Sequence, residues 1–139
     1  MTVTLNPYLN FDGNAREALE FYHSVFGGEL TISTFADVPM PGYEPGPDEA
    51  NKVMHGMIAG GPQDITLMAA DVPPQMTFQP STTSISLSGE DADALPGFWE
   101  QLSDGGNVDV SLAEAPWGDT FGMLTDRFGI PWMVNIVKG

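Results

Sequence analysis

The sequence predicts an α+β fold of two βαβββ modules, each folding into a curved mixed sheet. Three observations support this prediction: an internal repeat, strand-like alternation of apolar residues, and helical spacing that ends at paired glycines. The apolar pattern of residues 15–22 recurs at 92–99, an offset of 77, and Gly27-Gly28 recurs as Gly105-Gly106, an offset of 78. We therefore interpret the chain as a doubled unit.

The first module opens with an alternating segment. Apolar and polar residues alternate over 3–11, which predicts a strand with one covered face. Asn14 and Glu17 resemble a capping box, and apolar residues follow at helical spacing up to Phe26, where the paired glycines end the helix. Three further strands are predicted, at 29–35, 52–59 and 64–69.

A proline-rich loop interrupts this module at 36–51. The resemblance of residues 55–58 to 121–124 has an offset of only 66, so the second module lacks this insertion. Further prolines mark a linker between the modules. We therefore predict a single domain with a first module at 1–70, a linker at 71–80 and a second module at 81–139.

The second module repeats the order of elements. Its helix is predicted within 91–102, but Pro96-Gly97 falls inside the helical pattern. Because proline is tolerated only in the first turn, we expect this helix to start near Ala94 or Leu95. The strands are predicted at 82–88, 107–113, 119–125 and 130–137.

Composition narrows the classes of partner. The 139 residues carry 4 Lys and Arg against 19 Asp and Glu, a net charge of −15. This charge disfavours nucleic acid and anionic membrane surfaces as partners. Because the chain contains no apolar run long enough to cross a bilayer and no leader-like start, we expect a cytoplasmic protein.

Local motifs extend these observations to a family. The segments Asn6-Pro7-Tyr8-Leu9, Val25-Phe26-Gly27-Gly28 and residues 121–129, FGMLTDRFG, resemble the PhnB-like subfamily of the vicinal oxygen chelate superfamily. That superfamily contains glyoxalase I, extradiol dioxygenases and bleomycin-resistance proteins. The resemblance covers nearly the whole chain and implies glyoxalase/bleomycin-resistance-like half-barrels, a homodimer and a cavity on the concave side of each half-barrel.

The resemblance also locates the positions at which metal-dependent relatives carry His and Glu ligands. Here these positions hold Asn6, Leu67, Ser84 and Met133, and none of them can replace an imidazole or carboxylate ligand. Some relatives are described as methyltransferases, but no strand leads into a glycine-rich turn with an acidic ribose partner. We therefore expect neither a metal nor a cofactor.

The uncharged polar residues of the predicted cavity favour a small-molecule ligand. His55 and Glu114 are candidates for a general base, but we favour the interpretation of His55 as a buried or half-buried spacer bonded to the backbone and of Glu114 as a surface acid. The predicted pocket residues are Asn6, Tyr8, Asn10, Leu67, Ser84, Ser86, Trp117, Met133 and Asn135.

Three functions remain open at this point. The first is binding of a small, largely neutral organic molecule in a metal-free pocket. The second is a metal-dependent lyase or dioxygenase of the glyoxalase type, with a metal recruited by other residues. The third is a structural dimer whose cavity is vestigial.

Overall fold

A computed structural model of the chain describes residues 3–37, 46–47, 49–73, 76–80 and 82–138. Its contacts divide the chain into two compact units, Met1–Gln79 and Pro80–Gly139. Each unit holds one helix and one four-stranded sheet. No helix within these described ranges is long and apolar enough to span a membrane.

The first unit runs β1 (Tyr8–Phe11), α1 (Ala15–Phe26), β2 (Glu29–Thr34), β3 (Val53–Ala59) and β4 (Leu67–Asp71). The spatial order of its strands is β1-β4-β3-β2. The β1–β4 pair is parallel and the other pairs are antiparallel, so the sheet is mixed.

The second unit runs β5 (Ile85–Gly89), α2 (Ala94–Ser103), β6 (Asn107–Glu114), β7 (Thr120–Thr125) and β8 (Pro131–Ile136). Its strand order, β5-β8-β7-β6, repeats that of the first sheet, again with one parallel pair. The predicted α+β fold with two βαβββ modules is therefore confirmed.

The first strand is shorter than predicted. β1 begins at Tyr8, and Val3 and Leu5 are 96% and 99% exposed. β1 lies at the edge of its sheet and pairs only with β4, where the Met68 N–H donates to the Pro7 carbonyl. Since no ladder partner is recorded before Pro7 among the described residues, alternation alone does not make this segment a strand.

The start of α1 also differs from the prediction. Asn14 makes no side-chain cap hydrogen bond, so the predicted capping box is wrong. Asp71, the last residue of β4 and 2% exposed, takes over this role. Its Oδ1 accepts from the Gly13 and Ala15 N–H groups at 2.8 and 3.0 Å, and its Oδ2 accepts from the Val53 N–H at 2.9 Å. One carboxylate thus joins the start of α1 to β3 and β4, with its negative charge at the positive end of the helix dipole.

The helix of each unit packs closely on its sheet at a glycine. A Cβ atom at Gly56 on β3 would collide with Leu19 of α1, and one at Gly122 on β7 would lie 2.7 Å from the ring of Trp99 of α2. The two glycines are 66 residues apart, the offset of the repeat found in the sequence. Close approach of helix and sheet explains why both positions lack a side chain.

The start of α2 agrees with the prediction, because the helix begins at Ala94 and Pro96 lies in its first turn. Oδ1 of Asp91 accepts from the Asp93 and Ala94 N–H groups at 3.1 and 2.8 Å. Most of the predicted proline loop, residues 38–45 and 48, lies outside the described residues.

Candidate functional site

The two faces of the first sheet have different surroundings. Leu9 and Phe11 are buried with the core, whereas Tyr8 and Asn10 are exposed on the opposite, open face. In the parallel β1–β4 pair Tyr8 lies beside Met68 and Asn10 beside Ala70. Because side chains alternate along a strand, Met68 and Ala70 share the open face with Tyr8 and Asn10.

The expectation that Leu67 lines the cavity is wrong. Leu67 is 1% exposed and belongs to the core, and its neighbour Met68 holds the open-face position. The partner of Gly56 on β4 is Ala69, whereas the partner of Gly122 on β8 is Val134. The β3–β4 connection is therefore one residue longer than its counterpart, and one residue of shift moves a side chain to the other face.

A pocket of about 510 Å³ lies on this open face, and all its lining residues belong to the first unit. Tyr8 and Asn10, two of the predicted pocket residues, line it. Asn6 and Leu67 do not line it. The lining consists of Tyr8, Asn10, Phe35, Met54, Ala70, Asp71, Val72, Pro73, Met76, Thr77 and Gln79.

None of the apolar residues of this lining was predicted, and the largest side chains among them are those of Phe35, Met54 and Met76. Met54 reaches the pocket through a β-bulge: Ser33 pairs with His55 and Thr34 with Val53, so Met54 has no partner on β2. A bulge re-aims a side chain relative to the regular alternation. Met76 lies in the segment predicted as a linker, where no periodic pattern indicates a position.

Tyr8 forms a pair with His55 at the pocket. The Tyr8 hydroxyl oxygen lies 3.3 Å from Nδ1 of His55, and the ring centroids are 5.7 Å apart. Partial burial raises the pKa of the Tyr8 phenol, so its proton is retained at neutral pH. His55 lies on β3 and is not among the lining residues, so it reaches the pocket only through Tyr8.

Among the described residues of the lining, the only carboxylate is already satisfied. Asp71 accepts the three backbone hydrogen bonds described above, and both its oxygens are used. A buried carboxylate with such partners does not require a cation. The polar groups that the pocket offers to a ligand are therefore the uncharged ones of Tyr8, Asn10, Thr77 and Gln79.

Three predicted site residues of the second unit lie at register positions that correspond to the open face of the first sheet, namely Ser86, Met133 and Asn135. Ser86 pairs with Met133 in the parallel β5–β8 ladder, as Tyr8 pairs with Met68 in the first sheet. Asn135 lies two residues further along β8, beside Ser88. Ser84 precedes β5 and is half-buried.

Asn135 is engaged within its own unit. Its Oδ1 accepts from the indole N–H of Trp117 at 3.3 Å, and its Nδ2 donates to Asp119 at 3.1 Å. Asp119 also accepts from the Lys138 N–H at 3.0 Å. These two hydrogen bonds lower the pKa of Asp119 below its ordinary value, and the bond from the Lys138 N–H has the larger effect. Trp117 is 60% exposed and packs edge-on against Phe121.

The two candidate bases belong to different units. Glu114 is the last residue of β6, is exposed, and lies opposite Thr120. His55 lies in the first unit and bonds to Tyr8. That Asn6, Ser84 and Met133 line the predicted cavity stays a prediction, whereas burial in the core excludes Leu67 from it.

The residues at the family's ligand positions do not fit a metal ion. Nδ2 of Asn6 donates to the Thr4 hydroxyl at 3.2 Å, and Leu67 is in the core. Ser84 and Met133 offer a hydroxyl and a thioether, which are poor ligands for Zn, Ni or Fe(II). Across the described part of the chain, no group of three or more His, Asp and Glu side chains could hold a metal.

Known proteins resemble this chain over nearly its full length. A family described as 3-demethylubiquinone-9 3-methyltransferase matches residues 3–135. The crystal structure of protein PA1353 from Pseudomonas aeruginosa is 36% identical, with a TM-score of 0.85, and the match covers 99% of this chain and 100% of that one.

More distant structures share the fold. A putative 3-demethylubiquinone-9 3-methyltransferase, PhnB protein, from Bacillus cereus is 24% identical with a TM-score of 0.70, covering 97% and 100% of the two chains. A glyoxylase/bleomycin resistance protein/dioxygenase domain from Frankia is 12% identical with a TM-score of 0.65, covering 99% of each. The chain therefore belongs to the family described as 3-demethylubiquinone-9 3-methyltransferase, and it shares its fold with the PhnB protein and with the glyoxylase/bleomycin resistance protein/dioxygenase domain.

Proposed function

We propose that this protein binds a small, largely neutral organic molecule in the pocket on the open face of its first sheet. The observation that carries the proposal is the pocket itself, about 510 Å³, in which apolar side chains surround a few uncharged polar groups. Ligand sites in proteins commonly have this volume and this mixture of groups.

Electrostatics favour a neutral ligand. Asp71 contributes the one acidic group among the lining residues that the structure describes, and its oxygens accept backbone hydrogen bonds. The chain carries a net charge of −15, which repels anions. The same net charge attracts cations, but among the described lining residues no carboxylate is left unsatisfied to bind one, so the lining favours an uncharged ligand.

The backbone N–H groups at the starts of the two helices are not available to bind the anionic group of a cofactor. Such a group is commonly held by free backbone N–H groups at a helix N-terminus. In α1, the Gly13 and Ala15 N–H groups bond to Asp71, and in α2 those of Asp93 and Ala94 bond to Asp91. These donors are therefore already occupied in the described structure.

The proposal is tested by filling the pocket. Asn10 is exposed on the open face, so Asn10→Trp places an indole in the pocket without changing the core. The neutral fluorescent ketone Prodan is titrated into the natural protein, this variant, and Gln101→Trp, whose site is exposed on α2. We expect saturable binding that Asn10→Trp weakens about tenfold or more and Gln101→Trp leaves unchanged.

A second measurement guards against non-specific adsorption of the dye. Ligands that bind the native state raise the melting temperature, and the rise continues as their concentration exceeds the Kd. If Prodan and a diverse set of neutral aromatic compounds all fail to raise it, or if Asn10→Trp binds as well as the natural protein, the proposal is wrong.

We further propose a homodimer in which a second copy covers the edge strand β6. Val108 and Val110 on this strand are 43% and 45% exposed, and an unpaired apolar edge favours association. Sedimentation at raised salt, which screens the charge of −15, is expected to show a dimer. Val110→Lys should make the protein monomeric, whereas the control Val137→Lys, beyond β8, should leave the dimer unchanged. A natural protein that is monomeric at micromolar concentration would contradict the proposal.

A further inference from the structure

The Tyr8–His55 pair joins the lining of the pocket to a residue outside it. Tyr8 is the phenol of the lining, and it is 47% exposed, so its oxygen is accessible from the pocket. Its hydroxyl oxygen lies 3.3 Å from Nδ1 of His55, whose own ring does not line the pocket.

A phenol has one proton to donate and lone pairs with which to accept. If the proton is donated to Nδ1 of a neutral imidazole, the oxygen can only accept a hydrogen bond from a ligand. Donating to the imidazole also makes this oxygen a stronger acceptor, since linked hydrogen bonds polarise one another. A ligand with a hydroxyl or amine proton then fits, whereas a ligand with only a carbonyl meets an oxygen that has no proton to offer.

We infer that His55 is a positioning residue that commits the Tyr8 proton, and that the pocket therefore selects neutral molecules bearing an O–H or N–H donor over those bearing only acceptors. This inference rests on the proposed function, because it names the class of ligand for the same pocket. His55 acts through Tyr8 and makes no ligand contact of its own.

The second sheet shows that its scaffold accepts another residue at the position of His55. At the repeat offset of 66, His55 corresponds to Phe121, which lies next to the packed Gly122 as His55 lies next to Gly56. His55→Phe is therefore the variant of choice, because it removes the acceptor and keeps an aromatic ring.

The experiment compares three neutral probes of similar size at neutral pH. β-Naphthol can donate a hydrogen bond, β-naphthyl methyl ether cannot donate, and methyl β-naphthyl ketone offers only an acceptor. We expect the natural protein to bind the naphthol about tenfold more tightly than the ether, as one hydrogen bond in a partly desolvated site allows. Tyr8→Phe should remove this preference and leave the affinity for the ketone unchanged.

His55→Phe gives the distinguishing result. With its acceptor removed, the Tyr8 proton becomes available, so the affinity for the ketone should rise about fivefold. A residue with only a structural role would weaken all three probes together and could not produce this gain. Urea unfolding of each variant shows whether the fold is kept.

Each outcome decides one of the two claims. The inference is wrong if the probes bind but His55→Phe does not raise the affinity for the ketone, or if Tyr8→Phe keeps the preference for the naphthol. Either result leaves the proposed binding of a ligand in the pocket unaffected. If none of the three probes binds although Prodan does, the inference is wrong. If Prodan and the diverse neutral compounds also fail to bind, the proposed function is wrong, and the inference is wrong with it.

Discussion

Replacing Asp71 by Asn should destabilise the protein more than any other single carboxylate-to-amide change in the first unit. The carboxylate is 2% exposed and accepts three backbone N–H groups. Asparagine keeps only one oxygen. If that oxygen stays at the Gly13 and Ala15 donors, the Val53 N–H faces an amide NH₂ group; in the opposite orientation two donors lose their acceptor.

The magnitude follows from these contacts. Losing one charge-assisted bond and leaving its buried donor unsatisfied costs about 2–4 kcal/mol, and weakening the remaining bonds adds to this cost. Because asparagine is uncharged, the variant no longer buries a charge, and this offsets part of the cost. The free energy of unfolding should therefore fall by about 2–4 kcal/mol. That is a large share of the ~5–15 kcal/mol that stabilises a typical domain.

Urea unfolding followed by circular dichroism measures the change. Asp12→Asn is the matched control, since Asp12 lies in the same turn and is exposed, and its free energy of unfolding should change by less than about 0.5 kcal/mol. A loss below about 1 kcal/mol for Asp71→Asn, at an unchanged denaturant slope, would refute the view that this carboxylate anchors the start of α1.

Three further predictions concern the packing of α2, the hydrogen bonds of Asp119 and the absence of metal ligands among the described residues of the candidate site. Gly122→Ala should lower the free energy of unfolding in urea by about 1–3 kcal/mol, because the added Cβ meets the Trp99 ring. Gly97→Ala, in open space within α2, should raise it by about 0.5–1 kcal/mol. Equal effects of the two variants would contradict the packing argument. The pKa of Asp119 is lowered in the folded state, so its contribution is present above the unfolded-state pKa and is lost as pH falls through the folded value. Asp119→Asn should therefore flatten the acid side of the stability profile, and an unchanged profile would argue against these hydrogen bonds. Elemental analysis of dialysed protein should find Zn, Ni and Fe well below one ion per chain, and a stoichiometric metal would overturn the ligand argument.

The repeated architecture could be predicted because it depends on local periodicity. Both helices, the order of the strands and the start of α2 follow from apolar spacing, paired glycines and the rule for proline. The exception is the segment before Tyr8, which alternates like a strand but has no ladder partner recorded among the described residues. Strand formation needs a partner, and the sequence of one segment does not reveal it.

The site was harder to predict because it depends on long-range register. Leu67 and Met68 differ by one position, and only the lengths of the β3–β4 and β7–β8 connections decide which of them faces outward. Asp71 is one of 19 acidic residues, and its partners Gly13 and Ala15 lie more than 50 positions earlier. No local pattern distinguishes such a carboxylate from a surface one.

Comparison of the two sheets separates the positions that hold the fold from those available for function. The positions that face a helix keep their character: glycine under the helix at 56 and 122, and buried apolar residues beside it at 58 and 124. The open-face positions differ, because Tyr8 and His55 correspond to Ser86 and Phe121 in the second sheet. Packing under the helix constrains the first set, since a change there meets another side chain at once. The open-face residues contact one another instead, as Tyr8 contacts His55 and Trp117 contacts Phe121, so these pairs differ between the two copies while the shared core is kept.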